Sequence, residues 1–225
     1  MRSVRQVIYD MDGLLLDTES IYTAVTQQIV GRFGKCFDWS VKRHMIGRPA
    51  LDSARYLVTA LELPLSPEDY LAERKDLLAA RFEDAKPMAG AEVLVRHLHH
   101  HGIPQALASS SETALYRIKT QRHQSWFDLF DHRVLGDDAE LKRGKPAPDI
   151  FLLAAQRLGA NPADCLVFED APSGVAAARA AGMRVVAVPD PQMDRTPYQE
   201  ADQVLNSLIE FDPQAWGLPP WPSAR

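Results

Sequence analysis

Five short apolar runs, at residues 4–9, 105–108, 133–135, 165–168 and 184–188, punctuate this 225-residue chain. Each is too short for a helix and lacks the polar alternation of a half-exposed strand. Each therefore reads as a strand buried on both faces. Helix-like segments lie between the later runs. Residues 92–101 end before Gly102, residues 148–158 open on proline and end before Gly159, and residues 172–181 open on proline and end before Gly182. Proline in the first turn and glycine after the last are helix start and stop signals. Strand and helix in alternation predict an α/β fold, an open parallel sheet covered on both faces and joined by right-handed crossovers.

The alternation breaks between about residues 17 and 86. Residues 18–32, 51–61 and 67–85 all read as helical, with no convincing strand among them. Ser66 is placed to cap the third of these, with Pro67 at its first position. The segment reads as a small helical insertion after the first strand, entered near Leu16-Asp17 and left near Lys86-Pro87. Two such crossings suit a hinge. The expected division is residues 1–16 with 87–225 as one domain and 17–86 as the other. The proline-rich tail from Gly217 is expected to be extended. It is either pinned to the body by Trp216 or Trp221 or frayed.

Charge and cysteine usage narrow the function classes. With 25 basic against 30 acidic residues the net charge is −5, which speaks against non-specific nucleic-acid binding. No apolar run reaches membrane-spanning length, and the opening MRSVRQVIYDMDG does not read as a signal peptide. Cys36 and Cys165 have neither metal spacing nor a disulfide framework. A cytoplasmic protein, working as a monomer, is expected.

The residues with chemical potential follow the strands. Asp10 and Asp12 come directly after the first, separated by Met11 and followed by Gly13, which permits a sharp backbone turn. Two close carboxylates need a cation or a proton to compensate them. One suits a nucleophile and metal ligand, the other a general acid/base, and a turn that only caps the next helix is the alternative. Glu169-Asp170 follows the run at 165–168 in the same manner and adds carboxylates to the same end of the sheet. Hard oxygen donors without His or Cys suit magnesium (Mg2+). Asp10 and Asp170 would bind it directly, Glu169 through water, and Asp12 through its backbone carbonyl. Ser109-Ser110-Ser111 follows the run at 105–108, where hydroxyls and N–H groups at a helix start suit either a phosphate or a simple cap. Lys145, in KRGKPAP, is either part of a solvated basic loop or a charge delivered to the carboxylates. It is not part of a Walker loop, because seven residues separate Gly136 from Gly144 and proline follows the lysine. His97, His99, His100 and His101 fall in the last turn of a helix, where histidine suits the dipole better than a metal site.

The order of these signals is more specific than any one of them. DMDGLLLDTE at residues 10–19, then Ser109, Lys145 and Glu169-Asp170, resembles the haloacid dehalogenase superfamily over almost the whole chain. The insertion resembles the α-helical cap of its phosphatase and phosphomutase branch. The resemblance implies a Rossmann-like, doubly wound core. It also implies Asp10 as nucleophile, Asp12 as general acid/base, Ser109 and Lys145 as phosphate-binding residues, and Asp170 with Asp10 as magnesium ligands. The segments VLGDDAELKRGKPAPDIFLLAA, CLVFEDAPSGVAAARAAGMRVVAVPD and LNSLIEFDPQAWGLP are similar to the pseudouridine-5′-phosphatase group.

The reading that follows is a magnesium-dependent phosphatase acting on a small phosphorylated metabolite. A sugar phosphate or nucleoside monophosphate is expected, pseudouridine 5′-phosphate among them, with an aspartyl-phosphate on Asp10. A phosphomutase resembling β-phosphoglucomutase is the alternative. Members of that group carry a cap histidine and a serine-loop lysine where this chain has Tyr22 and Glu112, and an acidic Glu112 would repel a second phosphate. Asp12 and the Glu169-Asp170 pair speak against a dehalogenase, and the intact set speaks against a non-catalytic binding module. Arg48, between Gly47 and Pro49, is the candidate contact from the cap to the substrate's leaving group, an exposed surface arginine being the other reading.

Overall fold

The computed structural model describes residues 4–46 and 50–222. Six parallel strands form one sheet: β1 (Gln6–Tyr9), β2 (Gln105–Ala108), β3 (His132–Val134), β4 (Cys165–Glu169), β5 (Arg184–Ala187) and β6 (Gln203–Val204). Their order is β3-β2-β1-β4-β5-β6, that of a doubly wound, dinucleotide-binding type of sheet. Nine helices accompany them among the described residues. They are α1 (Glu19–Gly31), α2 (Trp39–Lys42), α3 (Ala50–Ala60), α4 (Pro67–Ala79), α5 (Ala91–His100), α6 (Thr113–Thr120), α7 (Gln124–Phe127), α8 (Asp149–Arg157) and α9 (Pro172–Ala180).

The central strands are largely apolar because both sheet faces are covered. Ile8, Ala106, Ala108, Val134, Val167, Val185 and Ala187 form one core with Ile150, Phe151 and Ala154 of α8 and Val175, Ala177 and Ala178 of α9. The alternate residues Val7, Tyr9, Leu107, Leu166, Phe168 and Val186 point the other way and are equally buried. Full burial of each large apolar side chain contributes about 1.5–3 kcal/mol. Tyr9 carries a hydroxyl into this second layer. Its ring stacks on Phe168 at 5.3 Å and meets Phe130 edge-on at 5.7 Å, and its O–H donates to Gln105 Oε1 at 2.9 Å. Gln105 Nε2 in turn donates to the Val95 carbonyl of α5 at 3.1 Å, so every polar atom of the pair is used.

The chain falls into two compact units. One runs to Asp17 and resumes at Lys86; the other is Thr18–Ala85. Within the first, the two connecting segments are hydrogen-bonded to one another. Asp17 N donates to Lys86 O at 2.8 Å and Met88 N to Leu15 O at 2.9 Å. The second unit is helical and buries Val25, Ile29 and Val30 of α1, Ala54 and Leu57 of α3, and Tyr70 and Leu78 of α4. Ser66 caps α4 by accepting from Asp69 N at 3.0 Å, with Pro67 in the first turn. That helix is expected to run to residue 85 but stops at Ala79, and a 3₁₀ turn at Phe82–Asp84 follows. Phe82 is buried there against Tyr22 at 5.3 Å, a position the straight helix would not provide.

The tail is held to the body as far as Trp221. Val4 N donates to Trp216 O at 3.1 Å, Trp216 Nε1 to Gln203 Oε1 at 3.1 Å, and Trp221 Nε1 to Phe211 O at 2.8 Å. His97 donates through Nε2 to Pro219 O at 2.9 Å and packs on Trp221 at 4.5 Å. His97, from the histidine run, thus anchors the tail. Among the described residues no helix is long and apolar enough to cross a membrane.

Tyr9→Phe tests the second layer. The variant leaves Gln105 Oε1 buried without its donor, which costs about 1–3 kcal/mol. Equilibrium urea unfolding should show a lower midpoint at an unchanged slope, and an unchanged midpoint would show that the bond contributes nothing.

Candidate active site

In register, Tyr9 lies beside Leu107 on one side and Phe168 on the other. The residues that follow these strands therefore emerge together at one sheet edge. Asp10 continues β1, with its N–H on the Phe168 carbonyl at 3.0 Å, Ser109 follows β2, and Glu169 and Asp170 end and follow β4. The strand order reverses between β1 and β4, which is where such sheets open a crevice. After Asp10 the chain turns back on itself. The Met11 carbonyl accepts from both Leu15 N (2.9 Å) and Leu16 N (3.0 Å), and Gly13 N donates to Leu16 O (2.9 Å). Gly13 sits at φ 82°, a left-handed conformation that side chains disfavour. Met11, Leu14, Leu15 and Leu16 are buried and hold the turn down, while Asp10 and Asp12 stay at the sheet edge.

Lys145 joins the site from the loop before α8. Its side chain is 7% exposed, and its Nζ donates to Asp10 Oδ1 at 2.6 Å, Glu169 Oε1 at 2.6 Å and the Ala108 carbonyl at 3.2 Å. Its three protons thus have three acceptors from β1, β2 and β4. Phe151 lies beneath the ammonium at 5.0 Å. Burial alone would lower the Lys145 pKa, but Asp10 and Glu169 outweigh it and raise the value, so the lysine is charged. Burial pushes the Asp10 carboxyl up to about 7, against the pull of Lys145 and with Glu169 and Asp12 adding to the rise. The edge carries more carboxylate than Lys145 alone can neutralise.

Glu169 is 1% exposed and both its oxygens are engaged, Oε1 with Lys145 and Oε2 with Ala171 N at 2.9 Å. It orients the lysine and the turn into α9. Asp170 is half-buried, and its carbonyl accepts from the Tyr198 hydroxyl at 2.7 Å. Ser109 is fully buried, with its N–H on the Val134 carbonyl at 3.0 Å and its Oγ accepting from Ser111 N at 3.1 Å. Ser110 is exposed. Arg48 lies outside the described residues.

Lys119, which sequence reasoning did not single out, and Ser111, read there only as part of the serine segment, also meet Asp12. Lys119 of α6 donates to Asp12 Oδ1 at 2.6 Å, and Ser111 Oγ to Asp12 Oδ2 at 2.7 Å. The available signal for Lys119 is its place three and four residues after Tyr116 and Leu115, on the apolar side of a short helix. A lysine there more often belongs to a solvated face.

The donor set suits a hard divalent cation. It consists of carboxylates and a backbone carbonyl, and Glu169 and Asp12 stand close enough to Asp10 to add to the rise that burial gives its carboxyl. Among the described residues no three His, Cys, Asp or Glu side chains form a ready metal cage. Magnesium does not require one, because it keeps waters and uses one or two carboxylates together with substrate phosphate.

The haloacid dehalogenase-like hydrolase family model matches residues 4–182. The chain is 51% identical over 224 residues to (DL)-glycerol-3-phosphatase 2 of Arabidopsis thaliana, spanning 97% of this chain and 93% of the relative. It is 46% identical over 222 residues to a probable pseudouridine-5'-phosphatase of Drosophila melanogaster, spanning 97% and 96%. A solved structure of a HAD family hydrolase from Deinococcus radiodurans R1, with bound phosphate and sodium, superposes with a TM-score of 0.78 at 28% identity, over 92% of this chain and 93% of that one. The chain belongs to the haloacid dehalogenase-like hydrolases. Within that family it is an enzyme of the phosphatase class.

Gly174 offers a test of the Lys145 contact. A Cβ there would lie 1.7 Å from Glu169 Oε1, so Gly174→Ala must swing that carboxylate away from Lys145. The displaced atoms are the end of a flexible side chain, and the fold should persist. Phosphatase activity should drop, on the order of 100-fold for a misplaced site group. Near-normal turnover in a folded variant would show that the Glu169–Lys145 contact is dispensable.

Proposed function

We propose that this protein is a magnesium-dependent phosphatase of small hydroxylated metabolites, working through an aspartyl-phosphate on Asp10. One observation carries the reading. Asp10 sits buried at the end of β1 with Lys145 on one oxygen, while Asp12, two residues on, is held separately by Lys119 and Ser111. One carboxylate is thereby paired with a cation that can also hold a phosphoryl group, and the other is set apart for proton transfer.

In the first half-reaction a carboxylate oxygen of Asp10 attacks phosphorus. The P–O bond to the leaving group breaks, and the departing oxygen takes a proton from Asp12. In the second, water attacks the aspartyl-phosphate, gives its proton to Asp12, and inorganic phosphate leaves as the bond to Asp10 breaks. Lys145 offsets charge on the transferring group and keeps Asp10 in place. The Ser109-Ser110 segment offers hydroxyl and N–H donors to the phosphoryl oxygens. Magnesium would be held by Asp10, Asp170 and the Asp12 carbonyl, with Glu169 in support. When bound, it supplies positive charge to the phosphoryl oxygens.

The relatives named as a glycerol-3-phosphatase and a probable pseudouridine-5'-phosphatase support a polyol or nucleoside monophosphate as substrate. Hydrolysis is favoured over phosphomutase chemistry because Glu112, exposed at the start of α6, sets a negative charge beside the serine loop. The proposed compartment is the cytoplasm, whose reducing conditions suit the free Cys36 and Cys165. Burial pushes the Cys165 thiol up to about 11, which keeps it protonated and inert.

Phosphate release is to be measured on glycerol 3-phosphate, pseudouridine 5′-phosphate, other nucleoside monophosphates and sugar phosphates. Turnover should concentrate in one or a few of these, and an isomerised phosphate ester without free phosphate would favour the mutase instead. Asp10→Asn should abolish turnover while leaving the circular dichroism spectrum unchanged, because the amide is nearly isosteric but not a nucleophile. Retained activity in the pure variant would falsify the covalent mechanism. Chelation should silence the enzyme, magnesium should restore it, and calcium should restore it poorly because its coordination shell is larger and looser. Full activity in excess chelator would remove the metal from the scheme.

A further inference from the structure

We infer that Lys119 is a positioning residue for proton transfer, acting with Ser111 to lock the Asp12 carboxylate in one orientation. The inference rests on the reading of Asp12 as the general acid/base.

Lys119 is 1% exposed, although it lies on the eight-residue helix α6. A lysine is rarely buried so completely without a paired partner. Here the ammonium meets Asp12 Oδ1 at 2.6 Å and Ser111 Oγ at 2.8 Å. An ammonium only donates, so Ser111 Oγ must accept from Lys119. The single hydroxyl proton of Ser111 is then directed to Asp12 Oδ2, at 2.7 Å. Lysine, serine and aspartate close a triangle in which both carboxylate oxygens are held and the serine rotor has one orientation.

The serine is itself fixed. Its N–H donates to Ser109 Oγ at 3.1 Å, and its carbonyl accepts from Gly136 N at 2.9 Å. The triangle therefore hangs on the loops after β2 and β3, not on the turn that carries Asp12. Lys145 does not share this work, since its protons go to Asp10, Glu169 and the Ala108 carbonyl. Each aspartate of the 10–12 pair has its own buried lysine, brought from a different part of the chain. A carboxylate otherwise turns freely about its last bond. Here it cannot turn toward Lys145 without giving up two charge-assisted hydrogen bonds.

The step so positioned is the transfer of a proton from the Asp12 carboxyl to the leaving oxygen as the P–O bond breaks, with the bonding pair staying on that oxygen. It matters for an alkoxide, which departs poorly without a proton. It matters little for dinitrophenolate, which departs as the anion. A merely structural lysine would affect both alike.

The test compares the first turnover of glycerol 3-phosphate with that of 2,4-dinitrophenyl phosphate, in rapid-mixing experiments on the full-length, magnesium-loaded enzyme. Lys119→Met and Ser111→Ala are measured beside Asp12→Asn. Lys119→Met should slow glycerol release by about 100-fold, the usual effect of a displaced catalytic group, and leave the dinitrophenolate burst within a few-fold of wild type. Ser111→Ala should shift the same ratio in the same direction, and it carries the test alone if Lys119→Met fails to fold. Equal losses on both esters, or no loss on either, overturn the assignment. Asp12→Asn separates the two levels. If it shows the leaving-group dependence and the Lys119 and Ser111 variants do not, only the positioning role falls. If Asp12→Asn lacks the dependence, the acid/base reading of Asp12 falls with it.

Discussion

The carboxylates at the head of the sheet would repel one another were it not for Lys145. Its ammonium is shared between Asp10 and Glu169, which stand on the adjacent strands β1 and β4, and it also reaches the end of β2. Each carboxylate is nearly out of water, so neither could keep its charge there without a close partner. The single cation therefore does two kinds of work. It stabilises a set of charges that the fold has gathered, and it fixes the side chain of Asp10, the proposed nucleophile. Phe151 beneath the ammonium closes off water from below, which strengthens every interaction above it.

That arrangement follows from the order of the strands. In the sequence β1 and β4 are about 160 residues apart, yet they are neighbours in the sheet and share a register. Parallel strands present all their C-terminal ends at one edge, and the reversal of direction between β1 and β4 leaves that edge open. Loops after β2, β3 and β4 can then deliver serines, a lysine and carboxylates to one place. In the scaffold below, Tyr9 and Gln105 satisfy one another within the apolar layer. A rigid base with polar loops above it is a suitable support for a site that must be positioned to a fraction of an ångström.

The elements legible in the sequence were those with strong local signals. Strands β1, β2, β4 and β5 could be read because strands covered on both faces are largely apolar runs, and β3 showed only through Val134 and Leu135 at its end. Helices α5, α8 and α9 announced themselves by proline or glycine at their ends. The two-residue β6 and the four-residue α2 and α7 carry no periodicity to read, since their conformations are set by packing. Helix α6 was missed because its buried face holds Lys119 and Thr120 where apolar residues would be expected. The tail could be read either way, because Trp221 is pinned by His97 from a distant segment as well as by the nearby Phe211 carbonyl.

The residue order alone determined the class of fold and the candidate groups. Acidic and hydroxylic residues placed directly after buried strands must surface at the same sheet edge, whatever the loops between them do. Pairing was a different matter. Whether Lys145 was a loop charge or a site charge, whether Glu169 faced outward or bound that lysine, and which lysine belonged to Asp12 all turned on contacts between segments about 25 to 135 residues apart. Spacing along the chain says nothing about such contacts, because a side chain's partner is set by register, crossover and the depth at which a helix packs. Lys119 shows this most clearly. As one residue in a string it is a soluble cation on a short helix. In the folded protein it is buried, and Asp12 is the charge it was buried to meet.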